Sequence, residues 1–189
     1  SRLEKFHEQY PHVRLRISNH STPQAIQALR SDIVDFAAVT TPLDIKSPLE
    51  KIPLASYREI LIGGRKYKKL AEHTQKLEDI ASLPFISLDE NSSTRELYNS
   101  FFLEHGLSFA PDMETATTDQ MLPLITHNLG IGFYPKKMAE LALTKGDVYQ
   151  IPLEEKLPLR RIYLVTNGST AKSTAVRKMI KFIQEYHKI

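Results

Sequence analysis

The stretch FISLDENSSTRELY, residues 85–98, places a strand, a polar turn and a helix start in direct succession. The apolar run 85–88 is typical of a short buried strand, and the polar residues 89–92 follow it as a loop. Apolar residues then recur at helical spacing as far as His105. A strand that passes straight into a helix is the repeating unit of α/β proteins, so this stretch decides the fold class.

The helix start within this stretch has the chemistry of an anion site. Ser93 and Glu96 have the spacing of a capping box, which predicts that the helix begins at Ser93. The other first-turn N–H groups would then lie beside the hydroxyls of Ser92 and Thr94 and the guanidinium of Arg95. Such a start attracts anions. The alternative is that these side chains only cap a surface helix, which is the usual role of hydroxyls there.

Two further turns repeat this device. Thr22 precedes Pro23 after the alternating segment 13–17, which predicts a half-buried strand, a cap and a proline in the first turn. Thr117 and Gln120 form another capping box ahead of an apolar helical face. Ligands of α/β sheets bind where strand ends meet helix starts. Three such turns therefore predict one site for a small molecule with negative charge or hydrogen-bond acceptors.

The rest of the chain continues the alternation of strands and helices. The buried strand 36–39 runs into the hydroxyls of Thr40 and Thr41, and the proline-containing segment 43–56 is predicted to be a connection. The paired glycines at 63 and 64 predict the first crossing between two lobes. Alternation at this density predicts parallel sheets built from right-handed crossovers.

Composition excludes several classes of protein. The 189 residues are 41% hydrophobic and 25% charged, as in a globular chain of one domain or two small lobes. No run approaches the roughly 18 apolar residues of a membrane span, and residues 1–10 lack a signal-peptide core. With no cysteine, these features predict a cytoplasmic protein. The net charge of +3 and the scattered lysine clusters predict a chain that does not itself bind DNA.

An ordered set of segments carries a family resemblance. These segments are FHEQYPHVRLRI (6–17), PQAIQALRSDIVDFAAV (23–39), PFISLDENSSTRELYNSFFLEHG (84–106), NLGIGFYP (128–135) and RRIYLV (160–165). Together they resemble the effector-binding domain of LysR-type transcriptional regulators, in the right order and over essentially the whole chain. The resemblance implies an α/β fold of two Rossmann-like lobes joined by two crossing strands, as in type 2 periplasmic solute-binding proteins, with the effector between the lobes.

The resemblance also implies a division of the chain. Residues 1–62 with 148–189 would form the first lobe, and residues 63–147 the second. The family's first strand, its winged helix-turn-helix and its linker helix would precede Ser1. Dimers or tetramers are expected in the full protein, with a partner surface that includes Leu3, Phe6 and Tyr10 of the first helix; the alternative is that these residues pack within the lobe.

Residue by residue, the resemblance selects the same hydroxyl groups as the chemistry does, and it adds Tyr134 at the cleft edge. The predicted effector site is Thr22, Thr40, Thr41, Ser92, Ser93, Thr94, Arg95, Thr117 and Tyr134. Arg95 would either clamp a carboxylate or lie on the helix surface with its charge in water. Tyr134 would equally well be a packing residue. An anionic metabolite is the expected effector, and no cofactor or metal is predicted.

Two other functions are weighed against the regulator. The seven histidines show no metal-ligand spacing, and the chain has no nucleophile elbow or phosphate loop. His20 and Asp119 would be the acid and base of an enzyme, but acid–base catalysis needs a positioned set that the sequence does not show. A free-standing periplasmic-type solute-binding protein is the stronger alternative, and a signal peptide upstream of Ser1 would distinguish it from a regulator.

Overall fold

The computed structural model describes residues 2–187 and contains two groups of strands flanked by helices. The helices are α1 (Arg2–Gln9), α2 (Thr22–Arg30), α3 (Leu77–Ile80), α4 (Ser93–Glu104), α5 (Thr118–Thr126), α6 (Lys136–Lys145) and α7 (Thr174–His187). The strands are β1 (Ala37–Thr40), β2 (Leu49–Tyr57), β3 (Glu59–Gly64), β4 (Ile86–Leu88), β5 (Met113–Thr115), β6 (Ile131–Pro135), β7 (Val148–Ile151) and β8 (Arg160–Asn167). A short 3₁₀ segment, Arg65–Ala71, follows β3.

The first group of strands has the order β1-β8-β2, and both neighbours run antiparallel to β8. Helices α2 and α7 supply apolar side chains to its core, among them Leu29 and Val176. Helix α1 joins this group through Phe6, which is fully buried and meets Phe182 edge-on at 5.4 Å between ring centroids. We call residues 2–57 and 160–187 the first lobe.

The second group contains the strand order β6-β3-β7, again antiparallel, and the parallel pair β4-β5. A parallel bridge between Phe85 and Ile131 joins the pair to β6. The core of this second group of strands is rich in aromatic rings. The ring centroids of Tyr98 on α4 and Phe133 on β6 lie 5.0 Å apart. We call residues 59–151 the second lobe.

Strand pairing puts the first crossing earlier than the sequence predicted. Strand β3 pairs with β6 and β7 from Glu59 to Gly64, so Gly63 and Gly64 end a strand of the second lobe. The chain therefore changes sheet at Arg58, between β2 and β3. Strand β7 also pairs with β3, so the return to the first lobe lies between Ile151 and Arg160.

Three predictions about strands were wrong. Residues 13–17 are extended but pair with no strand in the described chain, and Ile17 is 74% exposed. The connection predicted over 43–56 contains strand β2, which accommodates Pro53 beside a register shift. Most pairs are antiparallel, because β3 and β8 each run opposite to their neighbours; only β4 and β5 form a parallel ladder.

Helix ends follow the sequence closely. Gly146 closes α6 in the left-handed conformation with φ of 70°, and Gly106 follows α4 with φ of 73°. Asn128 is left-handed as predicted, and its side-chain oxygen also accepts a 2.7 Å hydrogen bond from the Lys66 N–H. Among residues 2–187, no helix combines the length and apolarity that crossing a membrane requires.

Candidate functional site: the cleft between the lobes

A polar cavity of about 210 Å³ lies where the two lobes face each other. The starts of three helices open onto it: α2 from the first lobe, and α4 and α5 from the second. Its lining residues are Asn19, His20, Ser21, Thr22, Ala38, Val39, Thr40, Leu88, Ser92, Ser93, Thr94, Ala116, Thr117 and Thr118. Thr22, Thr94 and Thr117, which are distant in sequence, therefore face one space.

The start of α4 is capped one residue earlier than the sequence predicted. The Ser92 hydroxyl accepts a 3.1 Å hydrogen bond from the Arg95 N–H and donates a 2.8 Å bond to the Asp89 carbonyl, so Ser92 is the cap and the proposed Ser93–Glu96 box does not form. The first intrahelical bond is donated by the Glu96 N–H to the Ser92 carbonyl. The N–H groups of Ser93 and Thr94 have no acceptor within the helix, and both residues line the cleft.

The other two helix starts use glutamine side chains. Gln24 accepts a 3.0 Å hydrogen bond from the Ser21 N–H, so Ser21, one residue before the predicted Thr22, is the cap of α2. Gln120 accepts a 3.3 Å bond from the Thr117 N–H, and Thr117 caps α5 as predicted. The buried Ser21 hydroxyl oxygen faces the Gln24 N–H in the capping box of α2, in a geometry looser than a full hydrogen bond.

The floor of the cleft is held by a buried ion pair. Arg160, at the start of β8, is 2% exposed, and its Nη1 donates a 2.8 Å hydrogen bond to Glu59 Oε1. Its Nη2 lies 2.5 Å from the Thr41 carbonyl oxygen and 2.9 Å from the hydroxyl oxygens of Thr40 and Thr94, so its two hydrogens are shared among three acceptors. Its Nε donates a 2.9 Å bond to the Thr41 carbonyl. One guanidinium thus contacts two hydroxyl groups that line the cleft, one in each lobe.

Burial and charge around this pair raise the pKa of the neighbouring acids. Burial raises the pKa of Glu59, opposed by the charge of Arg160. Burial and then the Glu59 charge raise the pKa of Tyr57 to about 12. The pKa of the fully buried Tyr98 is raised by the same two causes. Both phenols are therefore neutral hydrogen-bonding groups at ordinary pH.

Six of the nine predicted site residues line the cavity: Thr22, Thr40, Ser92, Ser93, Thr94 and Thr117. Their hydroxyls are not equivalent. Both bonds of the Ser92 hydroxyl are used by its own turn, and Thr22 Oγ1 donates a 3.4 Å bond to the Thr40 carbonyl. The Thr117 hydroxyl takes part in the capping box of α5, whereas the Ser93 hydroxyl serves no helix cap.

The other three predicted residues lie outside the cavity lining. Arg95 donates a 2.6 Å ion-pair bond to Glu114, and its guanidinium carbon lies 5.2 Å from the centre of the Phe109 ring. Thr41 Oγ1 accepts a 3.0 Å bond from the Arg161 N–H. Tyr134 is 2% exposed and packs in the core of the second lobe. Tyr134 is thus a packing residue, which was the alternative to a place at the cleft edge. Arg95 pairs with Glu114 and is not among the residues that line the cavity.

Sequence reasoning missed several residues of the site. Asn19 and Ser21 lie three residues and one residue before the predicted cap Thr22, and Thr118 follows the predicted cap Thr117, so extending the turns by up to three residues would have found them. Arg160 had no such signal, because Glu59, Thr94 and Thr40 are 101, 66 and 120 residues away in sequence.

The side chains that line the cavity are mostly neutral and polar. Among the residues described, its lining contains no Lys, Arg, Asp or Glu, and His20 is its one titratable side chain. The Asn19 amide lies 3.5 Å from the Asp119 carboxylate, so Asp119 faces Asn19 across the cleft. Within residues 2–187, no three His, Asp or Glu side chains cluster as metal ligands would. The available groups are amide and hydroxyl donors.

Known structures share this fold. The effector binding domain of QuiR, solved in complex with shikimate, has a TM-score of 0.80 at 22% identity, with 99% of this chain and 88% of that one covered. The CcmR regulatory domain of Synechocystis PCC6803, solved with 2-PG, has a TM-score of 0.84 at 14% identity, covering 99% and 89%. The fold is therefore the two-lobed, type 2 periplasmic-binding-like fold predicted from the sequence.

Residues 1–188 match the LysR substrate binding domain, and the chain belongs to this family. The Escherichia coli K12 relative, described as an uncharacterized HTH-type transcriptional regulator YeiE, is 21% identical over 180 residues, 95% of this chain and 61% of the relative. A probable RuBisCO transcriptional regulator of Gracilaria tenuistipitata var. liui is 26% identical over 188 residues, which cover 94% of this chain and 59% of the relative. The chain spans about three fifths of these relatives, which favour the regulator over the solute-binding alternative.

Proposed function

We propose that this effector-binding domain senses a small anion in the cleft between its lobes. The observation that carries the proposal is the convergence of three helix N-termini from both lobes on one polar cavity. Each N-terminus presents the positive end of a helix dipole and first-turn N–H groups without an intrahelical acceptor, although Pro23 removes one of these groups from α2. Because the lining contributed by residues 2–187 contains no Lys or Arg, neutral donors would supply the recognition.

The size and chemistry of the cavity restrict the effector. About 210 Å³ corresponds to roughly seven water molecules at their share of liquid volume, which suits a small carboxylate or phosphate ester. Shikimate, named in the QuiR structure, carries a carboxylate, and the 2-phosphoglycolate of CcmR carries a carboxylate and a phosphate. These ligands support the class of molecule proposed here.

Regulation requires that the effector prefer one arrangement of the lobes. Only a difference in affinity between two conformations shifts their populations. Donors from both lobes meet one ligand only when the lobes are correctly placed, so the ligand selects that placement. In the full protein, this placement would act through homodimers or homotetramers on helix-turn-helix domains outside this chain. We propose a cytoplasmic, non-enzymatic role, with no cofactor and no membrane partner.

The proposal is tested by thermal unfolding of the chain with a panel of carboxylates, sulfate, phosphate, shikimate and 2-phosphoglycolate. A bound ligand at about 100 times its Kd adds about 2.7 kcal/mol, which raises the Tm by roughly 5–10 °C for a chain of this size. Thr94→Val should remove most of this shift, because it deletes a hydroxyl that lines the cleft.

The matched control is Thr144→Val on α6, where the hydroxyl donates only to the Glu140 carbonyl of its own helix. This variant should retain the full shift. Stabilisation that survives in Thr94→Val and Ser93→Ala alike would place the ligand elsewhere and contradict the proposed site. No stabilisation by any anion of the panel would contradict an anionic effector.

A further inference from the structure

Arg160 occupies a position that none of the cleft-lining residues shares. It begins β8, where the chain returns to the first lobe, and it pairs with Glu59, where the chain first enters the second lobe. Its Nη2 bonds Thr40 in the first lobe and Thr94 in the second. The guanidinium therefore contacts both connections between the lobes and a hydroxyl on each side of the cleft.

We propose that Arg160 ties the lobes together through Thr94, and that a ligand in the cleft and this tie strengthen each other. An arginine donates and never accepts, so Thr94 Oγ1 must accept from it. The hydroxyl proton of Thr94 then points away from Arg160. Because Thr94 lines the cavity, that proton is available to a ligand.

A ligand that accepts from Thr94 completes a chain of hydrogen bonds from guanidinium to hydroxyl to anion. Bonds in such a chain polarise one another and become stronger together. The ligand consequently favours the lobe placement in which Thr94 reaches Arg160. Because coupling between sites is reciprocal, loss of the Arg160–Thr94 hydrogen bond should weaken ligand binding. This second half of the proposal rests on the proposed function, whereas the tie itself does not.

The two ends of the tie differ in what else holds them. Thr40 also lies on β1, which pairs with β8 along four residues, so its distance from Arg160 is fixed by the sheet. Thr94 has no such ladder to β8, because α4 belongs to the second lobe. The Arg160–Thr94 bond is therefore the member of this network that lobe rotation would break. Arg160 is a positioning residue that acts on the ligand through Thr94.

The test is a comparison of lobe distances in ligand-free protein. The chain contains no cysteine, so Arg30→Cys and Glu104→Cys give one spin-label pair on exposed sites of the two lobes. Arg160→Lys preserves a positive charge near Glu59, but one ammonium group cannot bond Glu59, the Thr41 carbonyl and both threonine hydroxyls at once, as the three guanidinium nitrogens do. We expect a broadened or shifted distance distribution in Arg160→Lys, and a similar change in Thr94→Val.

A double-mutant cycle tests whether Arg160 holds the lobes through its hydrogen bond to Thr94 or only supports the fold in general. In the Arg160→Lys, Thr94→Val double variant, the distribution should change no further than in either single variant. Thr94→Ser, which retains the hydroxyl, should restore the wild-type distribution. Arg161→Lys, an exposed neighbour on the same strand, is the control and should leave it unchanged. Wild-type distances in Arg160→Lys, or additive changes in the double variant, would overturn the tie.

The ligand half is measured by titration with sulfate. We expect Arg160→Lys to weaken sulfate binding by about 10-fold, within the usual range of coupling between sites, and to have no added effect in the Thr94→Val background. If wild type binds sulfate and Arg160→Lys binds it equally well, the coupling is wrong. Failure of wild type to bind any anion would instead refute the proposed function, while the ligand-free distances still decide the tie.

Discussion

Glu59 and Arg160 form a buried ion pair beneath the cleft, and burial, followed by the Glu59 charge, raises the pKa of the neighbouring Tyr57 and Tyr98. Each partner of the ion pair is less than 5% exposed, and neither would be tolerated alone at this depth. Removing one partner of such a pair usually costs about 3–5 kcal/mol, because the other charge is left buried. Variants that keep a charge or hydrogen bond at each position therefore give clearer functional results than alanine.

Tyr57 provides a pH-dependent test of this environment. Its folded pKa is about 12 against an ordinary value of 10.0, so between these pH values the folded chain holds a proton that the unfolded chain has lost. The free energy of unfolding should fall as pH rises through this window, by up to about 1.4 kcal/mol per pH unit. Urea unfolding from pH 9 to 11.5 should show a shallower fall in Tyr57→Phe, with Tyr98 still contributing. Equal slopes in the two proteins would argue against a buried Tyr57 phenol.

At the scale of the element, two adjacent serines at the start of α4 have different roles, because only Ser92 is the cap. Ser92 is 3% exposed and its hydroxyl bonds the Arg95 N–H, whereas the Ser93 hydroxyl does not serve the helix. Ser92→Ala should lower the free energy of unfolding by about 1 kcal/mol, and Ser93→Ala by less than about 0.5 kcal/mol. Chemical denaturation measures both. If Ser93→Ala lowered the free energy of unfolding more than Ser92→Ala does, the result would support Ser93 as the helix start, as the sequence predicted.

Two glycines test whether close approach or backbone conformation matters more in the second lobe. A Cβ on Gly64 would lie 2.4 Å from the Ile125 carbonyl oxygen, while one on Gly106 would meet nothing within 4 Å but would require φ of 73°. Gly106→Ala should cost about 1 kcal/mol, and Gly64→Ala more than about 2 kcal/mol. Denaturation midpoints of the two variants provide the comparison; similar losses would mean that α5 yields to the added methyl group.

Local chemistry explains how much of these elements could be predicted. Helix starts were predicted to within a residue, because a cap and its partner lie three residues apart, and the error at Ser92 arose where three hydroxyl residues stand in a row. Strand errors were larger, since the partner of β2 is more than 100 residues away along the chain. The segment 13–17 has the alternation of a strand, yet alternation alone does not supply a pairing partner.

For the whole molecule, the central prediction is that one ligand touches both lobes. Amide exchange measured by mass spectrometry should then slow in three separate peptides, around Thr22, Thr94 and Thr118, when an anion is bound. Peptides on the outer face of α6 should be unaffected. Protection confined to the second lobe would show that the ligand does not bridge the cleft.

The distance along the chain between interacting residues determines which site residues could be predicted from the sequence. Hydroxyls at helix starts were found because a helix cap depends on only a few adjacent residues. Arg95 was expected to face a ligand, but Glu114 on β5 competes for it, and that strand was not predicted. Arg160 was not found, since its role depends on partners that only the folded arrangement brings together.

The use of main-chain N–H groups at three helix starts also affects how such a sensor evolves. A main-chain amide persists through every substitution except proline, so side-chain replacements leave this part of the proposed site in place. Replacements at positions such as Ser93 or Thr117 would alter the shape and hydrogen-bond preferences around a bound anion. Descendants of one ancestral domain could thus change effector while they keep the main-chain donors of the proposed site.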